Sequence, residues 1–314
     1  MGAILVATRE TVRLVRRWSW ALVLVVGTVL YEAVRCAVEV TGNPRLLPTL
    51  ILLGAAVVPV AAVAFVRGRP LVFGVGGGLV GLTASLGGVA GLLTAGTLEF
   101  DTRRDLGALP LVAVGLIEEL AELLVPAAVL AVVRHRTRPA DGLLLGVASG
   151  AGFAVLETMG YAFVALVRSG GDLADVNGVL VDRALTSPAA HLAWTRVTAA
   201  ALWRAAGEHW RGIAVARLAG VYLLAAVLHA GWDAALGRWT DVGVAVVSLA
   251  LLAWTGHRLI RGRDRDARRF GTHPDGSGSP VRSRADVLRL SPDSHGARAT
   301  VATTAAVAVG GDRP

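Results

Sequence analysis

The sequence predicts an all-α protein, a polytopic transmembrane bundle of about eight spans followed by a disordered cytoplasmic C-terminal tail. Of its 314 residues, 54% are hydrophobic and only 17% are charged, whereas average proteins carry about 25% charged residues. The charges lie between long apolar runs, and this pattern excludes a soluble enzyme. The single cysteine, Cys36, excludes an internal disulfide framework and a multi-cysteine metal site.

A membrane-spanning helix needs about 20 apolar residues, and eight segments reach that length. They are 18–38, 46–66, 71–93, 109–133, 142–167, 184–206, 214–236 and 242–260. The first is too long for a signal peptide and lacks a small-residue cleavage site, so it predicts an uncleaved anchor.

The arginines between these segments predict the topology. Loops on one side of the membrane receive fourteen arginines and loops on the other side receive six, so both termini are expected in the cytoplasm. The net charge of +8 comes without a basic stripe that alternates with aromatic residues. This favours the lipid bilayer as a neighbour and argues against nucleic acid as a partner.

Five regions are expected along the chain. Residues 1–17 form a cytoplasmic N-terminal segment, 18–108 a three-span region, 109–236 a core region, 237–260 the last span and 261–314 a disordered basic tail. The core region is distinguished by ionisable residues inside its spans, which are costly in hydrocarbon and therefore indicate function.

The ionisable residues of the core region occur on four successive spans. The fourth span carries Glu118, Glu119 and Glu122, the fifth Glu157 and Tyr161, the sixth His191, and the seventh His229 and Asp233. From the outer end of each span, Glu118 and Glu157 lie about 14 and 15 Å deep and the two histidines about 11 Å deep. The four groups are therefore expected in one layer of the membrane.

Two kinds of hydrolytic chemistry fit imidazoles and carboxylates at one depth. They can bind a divalent ion such as Zn²⁺ while a further carboxylate takes a proton from water. Alternatively, a buried glutamate can activate water directly, with a histidine as its partner. The sequence leaves both open, although it lacks the His-Glu-x-x-His pattern of the common zinc proteases. Asp233, four residues after His229, is expected to hold that imidazole in one tautomer.

The order of these motifs resembles the PrsW family of intramembrane proteases and, more distantly, the CAAX-processing membrane endopeptidases. The resemblance covers residues 109–236. It is carried by Glu118-Glu119, by Gly152-Phe153 with Glu157 and Tyr161, by His191, and by His229 with Asp233.

The resemblance implies peptide-bond hydrolysis in a bacterial cytoplasmic membrane, by a metal-dependent or a glutamate-dependent mechanism. It implies a membrane protein or peptide substrate, for example an anti-sigma factor. Glu118 and Glu119 would supply the water-activating carboxylate, and Glu119→Gln is expected to abolish cleavage. The set His191, His229 and Glu157 would bind the metal or stabilise the oxyanion, with Glu122, Tyr161 and Asp233 in support.

Three positions depart from the family pattern. Glu122 stands where the family has a lysine, and Thr158 and Asp233 stand where it has asparagines. A carboxylate at position 122 must be protonated, metal-bound or paired with an arginine.

Two other functions use the same residues: a proton- or cation-coupled transporter, and an inactive protease homologue that acts as a binding module. A transporter would favour an internal repeat, and the sequence shows none.

Overall fold

The computed structural model describes residues 2–107, 109–132, 138–234 and 238–269. Within these ranges the chain is helical and has no strand, which confirms the all-α prediction. The helices are α1 (Gly2–Thr41), α2 (Leu47–Arg67), α3 (Gly77–Leu106), α4 (Leu111–Val132), α5 (Pro139–Arg168), α6 (Leu173–Thr186), α7 (His191–Gly207), α8 (Gly212–Asp233) and α9 (Arg238–Arg269). A 3₁₀ turn, Pro44–Leu46, lies between α1 and α2, and a second, Ser187–Ala189, lies between α6 and α7.

Five helical stretches are long and apolar enough to cross a membrane. They are Leu14–Thr41, Pro44–Arg67, Gly77–Leu106, Pro139–Arg168 and Gly212–Asp233, and α9 adds the shorter apolar stretch Trp239–Thr255. Helix α4 is apolar apart from three buried glutamates, and α7 is only 17 residues long. The multi-pass membrane prediction is confirmed, with about eight spans as an approximate number.

The predicted sixth span, 184–206, is interrupted. Helix α6 ends at Thr186, a 3₁₀ turn follows, and α7 begins at His191. Pro188 lies at the break, and proline has no N–H with which to continue a helical hydrogen-bond ladder. His191 is therefore the first residue of a helix, and not a residue in the middle of one.

Two helices are longer than predicted. Helix α3 passes the expected end at residue 93 and continues to Leu106, where Gly107 adopts a left-handed φ of 70° that ends it. Helix α9 includes residues 261–269 of the predicted tail, and residues 270–314 lie outside the described part of the chain. The described residues up to Arg263 belong to a first compact unit.

Helix α5 lies at the centre of the first unit, packed against α2, α3 and α7. Residues Leu143, Leu144 and Leu145 of α5 are fully buried in the largest apolar cluster. Glycine permits the close approach of α5 to α7, because a Cβ on Gly150 would lie 2.7 Å from the carbonyl oxygen of His191. The core thus fixes the start of α7 against the middle of α5.

Candidate active site

Four helices bring the predicted glutamates and histidines together. Helix α4 contributes Glu118, Glu119 and Glu122, α5 contributes Glu157, α7 begins with His191, and α8 contributes His229. The two imidazole rings are 5.0 Å apart between centroids and nearly perpendicular, and both are buried. The structure therefore brings the carboxylates and imidazoles of these four helices into contact.

The Nδ1 atom of each histidine faces a buried glutamate. His229 Nδ1 is 3.2 Å from Glu119 Oε1, and His191 Nδ1 is 2.6 Å from Glu122 Oε1. Both glutamates are 0% exposed. A carboxylate at one ring nitrogen fixes the tautomer and orientation of an imidazole whose other nitrogen is used elsewhere.

Glu122 has further partners on α5 and α7. The Thr195 hydroxyl donates to Glu122 Oε2, and the Ser149 hydroxyl donates to the Glu122 carbonyl oxygen at 2.7 Å. Thr195 was not predicted, although it follows His191 by four residues and so shares its helix face. Among the described residues Glu122 is paired with His191. The arginine partner that the sequence analysis considered for Glu122 is not observed among these residues.

The Nε2 atoms face a second group of carboxylates. His191 Nε2 is 3.0 Å from Glu157 Oε2, while His229 Nε2 is 3.3 Å from Glu118 Oε2 and 3.5 Å from Asp233 Oδ2. Each imidazole therefore lies between a buried carboxylate on Nδ1 and a more accessible one on Nε2. Asp233 is close to His229, as predicted, but it shares that nitrogen with Glu118.

Arg183 of α6 anchors Glu157, and the sequence did not predict this role. Its Nη2 donates to Glu157 Oε2, and its Nε donates to Thr158 Oγ1 at 2.9 Å. The guanidinium also lies 4.4 Å from the centroid of the Tyr161 ring. Tyr161 itself is 54% exposed, so its contact with the site runs through Arg183.

Glu99 of α3 is a second acidic residue that the sequence did not predict. Its carboxyl interacts electrostatically with Glu118, His229 and Glu157. The prediction ended the third span at residue 93, whereas α3 continues and carries Glu99 to the site. No proline occurs between Gly77 and Gly107, and this was the sequence signal that could have revealed a helix long enough to include Glu99.

Aromatic side chains enclose the two histidines. The Phe153 ring centroid is 5.0 Å from that of His191, and Trp194 lies 5.7 Å from His191 and 4.9 Å from His229. The Trp194 indole N–H donates to Ser248 Oγ of α9 at 2.8 Å. The Phe153 and Trp194 rings exclude water from the side of the histidines that they cover. The low polarity there strengthens the electrostatic interactions within the site.

The residues present fit a divalent metal ion. Ligand atoms of Glu118, His191 and His229 lie within 4.8 Å of one another, as do those of Glu119, Glu122 and His191. Zinc bonds of about 2.1 Å in a tetrahedron place ligand atoms about 3.4 Å apart. His191 Nε2 lies 3.0 Å from Glu157 Oε2, and His229 Nε2 lies 3.3 Å from Glu118 Oε2. Buried oxygens of Glu118 and Glu119 also lack a hydrogen bond within the described ranges.

Comparison with known proteins identifies one family model that matches this chain. The family model described as PrsW family intramembrane metalloprotease matches residues 44–255. This range covers more than half of the chain and contains all the predicted site residues. Neither a curated protein nor a solved structure matches the chain.

Proposed function

Because the chain belongs to the PrsW family of intramembrane metalloproteases, we propose that it cleaves a peptide bond within or beside the membrane. The observation that carries this proposal is the pair of buried histidines, each held at Nδ1 by a buried glutamate. Their Nε2 atoms face further carboxylates, and a hydrolytic site needs this arrangement of ligands and proton acceptors.

The substrate in this proposal is another membrane protein, and a membrane-anchored anti-sigma factor is one example of the class. The protein lies in a bacterial cytoplasmic membrane with both termini in the cytoplasm. The five apolar helices support a multi-pass membrane protein, and the alternating arginine content of the loops supports this orientation.

His191 and His229 would hold the metal ion through Nε2, with Glu157 as the carboxylate ligand. Arg183 supports the role of Glu157, because it donates to Glu157 Oε2 and balances its charge, while Thr158 accepts from Arg183 Nε and holds the guanidinium in place. Bound there, a divalent ion such as Zn²⁺ would act as a Lewis acid on the scissile carbonyl. Glu119 and Glu122 keep the two imidazoles in the orientation that this binding needs.

Glu118 is the carboxylate that we expect to activate water, rather than Glu119. The side chain of Glu118 is 12% exposed, and it lies beside His229 Nε2 at 3.3 Å. Glu119 is 0% exposed and its Oε1 already faces His229 Nδ1. Water therefore has better access to Glu118.

The proposed reaction moves one proton through Glu118. Its carboxylate accepts a proton from water as the water oxygen attacks the carbonyl carbon of the scissile peptide bond. As the carbon–nitrogen bond breaks, Glu118 returns this proton to the leaving amine nitrogen. The products are a new carboxyl terminus and a new amino terminus.

Glu118→Gln tests this assignment in purified full-length protein with a fluorogenic membrane peptide and a measurement of bound metal. Loss of the proton acceptor is expected to lower kcat by about 10²- to 10⁴-fold with metal content unchanged. His229→Gln is the contrasting variant, and it is expected to lose both metal and activity. A chelator should abolish wild-type cleavage, and Zn²⁺ should restore it.

Two results would contradict the proposal. Undiminished turnover by Glu118→Gln would remove Glu118 from the reaction, and loss of metal from this variant would make it the ligand in place of Glu157. Wild-type protein that moves protons or cations across liposomes without cleaving any peptide would favour the transporter function.

A further inference from the structure

A cavity of about 700 Å³ lies between α7, α8 and α9, separate from the proposed ligands. Its body is apolar, with Trp194, Leu224, Leu228, Leu251 and Trp254 among its lining residues. This volume is within the range of about 300–1,000 Å³ that is typical of ligand pockets. The cavity can therefore hold a molecule with a large apolar part.

Three arginines line one end of this cavity. Arg204 is near the end of α7, Arg217 near the start of α8, and Arg258 in the C-terminal half of α9. Arg204 and Arg217 share Glu208, at 2.7 and 3.9 Å. The Arg204 hydrogen bond holds the pKa of Glu208 below its ordinary value, so Glu208 balances one of the three charges at neutral pH.

The arginine end of the cavity has the features of a membrane–water interface. The turn from α7 to α8 lies beside it, and there Trp210 is 53% exposed and has a left-handed φ of 55°. Exposed tryptophans are enriched at the headgroup level of membranes. Arg204 and Arg217 are each 57% exposed and available to an anionic group at that level.

The length of the cavity matches one leaflet of a bilayer. Arg204 and Trp194 are ten residues apart on α7, which corresponds to about 15 Å. Arg217 and Leu228 are eleven residues apart on α8, or about 16 Å. One leaflet contributes half of a hydrocarbon core about 30 Å thick.

We propose that this cavity binds one anionic phospholipid, with its phosphate at Arg217 and Arg258 and an acyl chain along the apolar lining towards Trp194. Charge complementarity selects an anionic headgroup, because two positive charges remain after pairing with Glu208. Arg258 is itself held 4.2 Å from the centroid of the Trp254 ring, which orients it at the mouth. Basic pockets between membrane helices bind anionic headgroups in this way.

The acyl end of this site adjoins the histidines. Trp194 lines the cavity and also packs against His191 and His229. Its hydrogen bond to Ser248 joins α7 to α9 at this point. A lipid in the cavity would therefore support the wall that Trp194 gives to the active site.

Native mass spectrometry of the full-length protein in detergent tests the site, with phosphatidylglycerol and phosphatidylcholine of identical acyl chains as probes. One phosphatidylglycerol per chain is expected to be retained in preference to phosphatidylcholine. Replacing two arginines by Arg217→Gln and Arg258→Gln is expected to weaken this retention about 30-fold, which corresponds to about 1 kcal/mol for each charge. The matched control is Arg45→Gln with Arg103→Gln, at the opposite end of the bundle.

Ala201→Phe tests the acyl part of the site, because Ala201 lines the cavity and the substitution fills it without changing a charge. Retention of phosphatidylglycerol is expected to fall at least tenfold, with unchanged helicity by circular dichroism. Equal retention of the two lipids, or no effect of the arginine pair, would overturn the proposal. Lipid retention that survives Ala201→Phe would show binding at the surface and overturn the acyl-chain site.

Discussion

Gly115→Ala tests whether the distance between α4 and α8 sets the geometry of the active site. Gly115 lies where the two helices touch, and a Cβ there would be 2.4 Å from the carbonyl oxygen of Ala226 and 3.3 Å from His229 Cβ. Real Cβ atoms essentially never approach another atom within 3.0 Å. Because the atom in the way belongs to the backbone, a side-chain rotation cannot relieve the clash.

The size of the effect follows from this distance. Ordinary contact begins at 3.4 Å, so α4 and α8 must separate by about 1 Å in a close-packed interior. Gly115 is within one turn of Glu118, and Ala226 within one turn of His229, so the shift falls on the 3.3 Å pair of Glu118 and His229. A misplacement of about 1 Å in a catalytic site can cost about 100-fold in rate.

The assay is cleavage of a membrane peptide reporter by purified protein, with membrane insertion and metal content measured in parallel. Gly160→Ala on α5 is the matched control, because a Cβ there meets nothing within 4 Å. Both substitutions add the same helix propensity, about 1 kcal/mol, so this contribution cancels. If Gly115→Ala cleaves within threefold of Gly160→Ala, the spacing of α4 and α8 does not control the site.

Three further predictions concern the residues around the histidines. Glu119→Gln is expected to lower metal affinity or turnover by about 10- to 100-fold, less than Glu118→Gln does, and the reverse order would exchange their roles. Glu122→Lys, which installs the residue of the family pattern, is expected to lower the thermal unfolding temperature, because it removes the buried acceptor of His191 Nδ1 and places an ammonium beside that imidazole; an unchanged unfolding temperature would contradict this. Arg183→Gln is expected to cost about 10- to 100-fold in turnover or metal affinity, while the exposed Arg168→Gln at the end of α5 should leave both unchanged.

The helices, and the fact that residues on α4, α5 and α8 meet, could be predicted because they depend on local regularities. Helical rise converts residue number into depth, and α4, α5 and α8 are continuous where Glu118, Glu157 and His229 lie. The same arithmetic treated His191 as part of a continuous span. In the structure His191 reaches the site as the first residue of α7, so its depth depends on the packing of α7 against α5, which residue counting does not include.

The side-chain partners of the predicted residues could not be predicted in the same way. Arg183 and Glu157 are 26 residues apart and lie on different helices, and Arg183 has the sequence features of a loop arginine. Glu118 and Glu119 are adjacent, and helical geometry predicts that their side chains point in different directions. It does not predict which of the two faces His229 Nε2, because that depends on the rotation of α4 about its axis relative to α8.

The departure at position 122 has a physical explanation within this site. A lysine there could only donate, whereas Glu122 can accept hydrogen bonds from His191 Nδ1 and from the Thr195 hydroxyl. Glu119 offers the same kind of acceptor to His229 Nδ1, so α4 holds both imidazoles by the same means. The third glutamate of α4 therefore changes how His191 is oriented, and it adds no charge that lacks a partner.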